Sequence, residues 1–237
     1  MTAPTHVFPD AAAVSEALAA RTEAALRAAL DGEPRVALCL TGGSTPEPAY
    51  RRLAHAELDW DRVHLFWTDE RCVPPDHADS NAGMALGALA PAGIPETNVH
   101  RFRGELGGEA AAAEMERELE AFFGADGVRF DVLHLGMGAD GHVASLFPGR
   151  AALDETERRA VSTTAPDGMA VADRVTLTLP VLNAADAGFF AATGAGKGEA
   201  LAAVRAAAPG EGLPAARIRP RGSLEWLIDQ ALSDAVT

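Results

Sequence analysis

Short apolar runs recur along the chain, and each is followed at once by a glycine-rich or charged loop and then by a helix-forming stretch. RVALCL (35–40), VHLFW (63–67), FDVLHL (130–135) and AGFFAAT (187–193) have the length and flanks of buried strands. Helix candidates lie between and after them at Ala11–Leu30, Tyr50–His55, Asn81–Ala90, Gly108–Phe123 and Gly196–Ala207. Asp31-Gly32 closes the first, and Thr45-Pro46 can open the second, since proline is comfortable in a first helical turn. This alternation predicts an α/β fold: a doubly wound, mostly parallel, Rossmann-like sheet with helices on both faces. Val99–Phe102 and Arg174–Leu179 (RVTLTL) read as further strands, and Ser223–Leu232 as a closing helix with Ser223 as its N-cap. No repeat or linker divides the 237 residues, so one domain over 1–237 is expected.

Composition narrows the function classes. The formal net charge of −14 argues against non-specific nucleic-acid binding, which depends on cations neutralising phosphates. No stretch approaches the roughly 20 uninterrupted apolar residues of a membrane span, and the N-terminus has no basic segment ahead of an apolar one. Neither a membrane nor a nucleic-acid partner is therefore expected. Two cysteines, Cys39 and Cys72, give no disulfide framework and no metal spacing, which makes a reducing cytoplasm the expected compartment. A small anionic substrate stays compatible with the acidity if a local basic pocket overrides the global field. Lys197 is the one lysine among 20 basic residues, so its position draws attention.

In a parallel sheet the loops after the strands share one edge, and three of them carry chemistry here. Thr41-Gly42-Gly43-Ser44-Thr45-Pro46 joins a strand to a helix. Its glycines let the backbone approach an anion, and the helix N-terminus adds free N–H groups and a favourable dipole. It lacks the ending of a nucleotide P-loop and the dinucleotide fingerprint, and it suits a single phosphate. Asp69-Glu70-Arg71-Cys72-Val73-Pro74, continuing to Ser80-Asn81, places charge directly after an apolar strand, where it must be paired or used. The third loop, GMGADGHVASLFP (136–148), leaves its strand through a glycine-permitted turn. There Asp140 can orient the imidazole of His142 and leave one ring nitrogen free for proton transfer. Taken singly, a capped turn, an ion-paired loop and a satisfied histidine would each account for one of these segments. Lys197 and Arg174, cations at the start of a helix and of a strand, read singly as surface charges.

Together the segments resemble one family, the 6-phosphogluconolactonases of the pentose phosphate pathway. The matching pieces are TGGSTP (41–46), DERCVP (69–74) with Ser80-Asn81, GMGADGHVASLFP (136–148), RVTLTLPVLNAA (174–185) and GKGEAL (196–201), and they span nearly the whole chain. The glycine loop is shared with a wider sugar-phosphate superfamily that includes glucosamine-6-phosphate deaminases. In those, the segment after the histidine typically runs toward Phe-Asn-Glu-Pro; here it runs Ser145-Leu146-Phe147-Pro148, and Glu70 is followed by Arg71, as in the lactonases.

The resemblance implies hydrolysis of a sugar-phosphate lactone, 6-phospho-D-glucono-1,5-lactone, to 6-phosphogluconate. It implies a phosphate site at Gly43, Ser44, Thr45, Arg174 and Lys197. His142 would be the general base on water, Asp140 its orienting group, and Arg71 the stabiliser of the oxyanion. Gly198 and Glu199 depart mildly from the family pattern, which leaves the geometry of Lys197 open. The residues offer no covalent nucleophile: Cys72 reads as packing, and Ser145 lacks the Gly-x-Ser-x-Gly elbow. Seven histidines scattered without ligand spacing point to no metal, and the reaction calls for no cofactor. A monomer or weak homo-oligomer is expected. Two rival functions are a deaminase, in which Asp69 or Glu70 would be the base, and a non-catalytic sugar-phosphate sensor. The chain has no spare length or basic charge for the DNA-binding helix such a sensor usually carries.

Overall fold

Two strands side by side, β2 (Val36–Leu40) and β6 (Val132–Leu135), mark where the winding of the chain reverses. The computed structural model describes residues 3–124, 127–208 and 210–236. From β2 the chain moves outward in one direction through α2 (Pro46–Leu53), β3 (Val63–Trp67), α3 (Asn81–Leu89) and β5 (Val99–His100). It returns through α4 (Gly108–Phe123) to β6 and then moves the other way to β9 (Ala187–Ala192), α6 (Gly198–Ala206) and β10 (Ser223–Asp229). The first strand, β1 (Thr5–Phe8), closes the far edge, and α1 (Ala11–Gly32) carries the chain from it back to β2. The seven strands lie in the order β1-β10-β9-β6-β2-β3-β5 and every pair is parallel. Crossovers that reverse direction at β2 and β6 put helices on both faces, giving the doubly wound α/β architecture. The core strands β2 and β6 are buried throughout, as fits strands covered on both sides.

A second sheet extends beyond the first. Directly after β3, Thr68 leads the chain into β4 (Asp69–Arg71), which pairs antiparallel with β8 (Asp173–Leu177), itself paired with β7 (Ala160–Thr164). The segment expected as a strand at Arg174–Leu179 is therefore β8 of this small sheet rather than a strand of the parallel one. It ends at Leu177 because Thr178 and Pro180 open a short helix, α5 (Leu179–Leu182).

The closing helix expected over Ser223–Leu232 is a correction. Ser223–Asp229 is strand β10, and only Gln230–Asp234 is helical (α7). Leu224, Leu227 and Ile228 have helical spacing, but the segment lies between β9 and β1, where both of its edges find ladder partners. Trp226 stacks on Phe190 of β9 with ring centroids 3.9 Å apart. The cap is Asp229, whose carboxylate accepts from Leu232 N at 2.9 Å, and not Ser223.

Candidate active site

The loops after β2 and β6 flank the reversal point, where open α/β sheets form a crevice. A cleft of about 270 Å³ opens there, lined by the glycine loop, the histidine loop, β4, β8 and Lys197. Gly43 takes φ 116°, a region that glycine enters without strain, as the loop turns into α2. The start of this loop is pinned by Tyr50, whose hydroxyl donates to Thr41 O at 2.8 Å and accepts from Thr41 N at 3.1 Å. Thr45 meets Thr193 hydroxyl to hydroxyl at 3.0 Å, tying the loop to the end of β9.

In the third loop, Asp140 Oδ1 lies 2.6 Å from His142 Nδ1 and also accepts from the His142 backbone N at 3.1 Å. A carboxylate only accepts, so Nδ1 carries the proton and Nε2 presents a lone pair. Nε2 has no hydrogen-bond partner among the described residues, and the ring lines the cleft. Ala144, at φ 51°, is the one non-glycine residue with positive φ among those described. That strained turn follows the histidine and directs Ser145 to Asp69, whose Oδ2 accepts its hydroxyl at 2.6 Å.

The cations are arranged against their own repulsion. Arg71 and Arg174 are direct partners across β4 and β8, an opposition that costs energy unless an anion lies between them. Neither makes an ion pair among the described residues. The Nε atom of each is buried with no hydrogen-bond partner, although an Arg71 Nη1 donates to Asp79 O. Burial, and then the neighbouring Arg71, pushes the Arg174 guanidinium below its ordinary range. Burial likewise pushes the Lys197 ammonium down, with Asp229 opposing it. Each of these groups would be relieved by an anion in the cleft. The constellation thus offers a proton acceptor, a phosphate-sized set of donors and a guanidinium for developing negative charge.

Against this geometry, a family model described as glucosamine-6-phosphate isomerases/6-phosphogluconolactonase matches residues 9–226. The chain belongs to this family. A Nostoc sp. protein named 6-phosphogluconolactonase is 41% identical over 212 residues, covering 87% of each chain. A Homo sapiens protein of the same name is 38% identical over 234 residues, 95% of this chain and 89% of that one. The crystal structure of a Thermotoga maritima 6-phosphogluconolactonase superposes with a TM-score of 0.86 at 30% identity, covering 97% of this chain and 100% of the other.

The family motifs converge on the cleft: Gly43, Ser44, Thr45, Arg71, His142, Arg174 and Lys197 all line it, and Asp140 stands behind His142. The neighbouring acids Asp69 and Glu70 divide. Asp69 lines the cleft, whereas Glu70 turns away and accepts from Asn81 N and Ala82 N at 2.7 Å, Arg71 N at 2.8 Å and Ser80 Oγ at 3.0 Å. Burial raises the Glu70 carboxyl, and those backbone donors oppose the rise. Sequence reading gave no cleft role to Asn81, Ser145 or Met169, which also line it. Ser80-Asn81 was visible as a motif, but Met169, exposed between β7 and β8, had no local signal. No cluster of three or more metal-ligating side chains occurs among the described residues, and no described helix is long and apolar enough to cross a membrane.

Proposed function

We propose that this cleft hydrolyses 6-phospho-D-glucono-1,5-lactone to 6-phosphogluconate. The observation that carries the reading is the meeting of an oriented, free-Nε2 histidine with unpaired cations in one cavity. The phosphate lies on Gly43, Ser44 and Thr45, held by Arg174 and Lys197, and its binding fixes the lactone carbon at the other end. His142 Nε2 takes a proton from water as the water oxygen bonds to the carbonyl carbon. Arg71 stabilises the resulting oxyanion. Collapse breaks the bond from that carbon to the ring oxygen, which takes the proton back from His142, and the product acid then ionises. Asp140 holds the ring in the tautomer this sequence needs and stabilises its charged form.

The same reading makes the chain a one-domain, cytoplasmic enzyme, monomeric or weakly self-associating, that works without metal or cofactor. Its free cysteines, Cys39 and Cys72, suit a reducing compartment. The test is acid release from freshly generated lactone, followed by pH-stat above the spontaneous rate. Acceleration is expected, with a dephosphorylated lactone used far less well. No acceleration, with ammonia released from glucosamine 6-phosphate instead, would overturn the reading in favour of a deaminase.

A further inference from the structure

A carboxylate is out of place in a cleft built to attract phosphate, yet Asp69 is buried in its wall, 6% exposed. It makes no ion pair among the described residues. Its Oδ2 accepts from Ser145 Oγ at 2.6 Å and its Oδ1 from Thr68 Oγ1 at 3.1 Å; the Asn81 amide approaches Oδ1 only to 3.5 Å. A carboxylate offers about four acceptor sites, so capacity is left over on the cleft side.

The surroundings hold that carboxylate rigidly. Asn81 Nδ2 donates to the Asp69 backbone O at 3.0 Å, and Glu70 fixes the Asn81 backbone. The Asn81 side chain rests on Gly42, where a Cβ would overlap its amide oxygen. Ser145 spends its proton on Asp69, so toward any further partner its oxygen can only accept, and the residue lines the cleft. It sits three positions after His142 on the same loop, and Asp69 sits two before Arg71 on β4, so the pair shares its two elements with the base and the oxyanion cation of the lactonase reading.

Resting on the lactonase reading above, we infer that Asp69 and Ser145, positioned by Asn81, accept the hydrogen bond of the substrate hydroxyl at C2, the carbon bonded to the reacting carbonyl. These residues determine specificity for a hydroxylated lactone. An acceptor built for a hydroxyl rejects the analogue lacking it, because the acceptor is then left buried and unpaired.

The test compares 6-phosphogluconolactone with its 2-deoxy analogue, each as kcat/KM relative to its own spontaneous hydrolysis. Native protein should favour the hydroxylated lactone by about 10- to 100-fold, as for a hydrogen bond to a charged group. In Asp69→Asn that preference should fall to about 3-fold or less, mainly through loss on the hydroxylated substrate. Ser145→Ala, which removes one oxygen and disturbs folding less, should narrow it in the same direction. Equal use of both lactones by the native protein, or a preference unchanged in both variants, would overturn the inference and leave the lactonase reading standing. Failure to accelerate either lactone would overturn both.

Discussion

Gly138 shows how closely the base is fitted to its loop. A Cβ there would overlap the Cε1 and Nδ1 atoms of His142 and come within 2.6 Å of Asp140 Oδ1. Gly138→Ala should therefore push the imidazole aside without touching the phosphate site. Turnover is expected to fall by about 100-fold, the scale of a misplacement of about 1 Å, with KM little changed in steady-state kinetics. A variant with native kcat would mean that the ring tolerates the shift. At this scale the sequence was most legible where partners are close along the chain. Asp140 and His142 are two residues apart, and their hydrogen bond could be anticipated. Asp69 and Ser145 are separated by 76 positions, and nothing local joins them. The choice between Asp69 and Glu70 was equally closed to the sequence, because it depends on which carboxylate faces the α3 N-terminus.

Among the elements, that N-terminus is where a charge works for the fold. The helix begins with Ser80 as N-cap, its hydroxyl accepting from Gly83 N at 3.0 Å, while Glu70 takes the N–H groups of Asn81 and Ala82. Glu70→Gln would turn an amide donor toward donors. It should cost about 1–3 kcal/mol in urea unfolding, the scale of a buried group left unsatisfied. An unchanged midpoint would show that the helix docks without the carboxylate. The main strands and most helices were legible from apolar runs and turn residues, and α4 matches its expected range. The failures have one cause. SLEWLID carries a pattern that suits either state, and its neighbours β1 and β9 decide between them. Likewise β4 is a three-residue strand defined by its partner β8, and only that pairing brings Arg71 opposite Arg174.

For the molecule as a whole, pH should act through histidines buried in neutral form. Thr22 Oγ1 donates to Leu18 O at 2.7 Å, so at 2.6 Å it accepts from His134 Nε2, leaving His134 Nδ1 buried without a partner. Burial pushes this imidazole from 6.5 down to about 3. His64, beside His100 and Arg35, is pushed by burial and by those neighbours down to about 4. Between these values and 6.5 the unfolded chain binds protons that the folded one refuses, so stability is complete above 6.5 and is lost as pH falls. Relative to native protein, His134→Gln should lose less stability between pH 7.5 and pH 5, by up to about 2 kcal/mol in urea titrations. Equal losses would assign the acid lability elsewhere.

The most direct test of the account is single-variant kinetics on the Asp140–His142 pair, by acid release from 6-phosphogluconolactone above its spontaneous hydrolysis. His142→Ala should lower kcat on the order of 10²–10⁴-fold, the usual contribution of a general base, with KM largely retained. Asp140→Asn should move kcat in the same direction. Native turnover in a folded His142→Ala protein would contradict the assignment of His142 as the base.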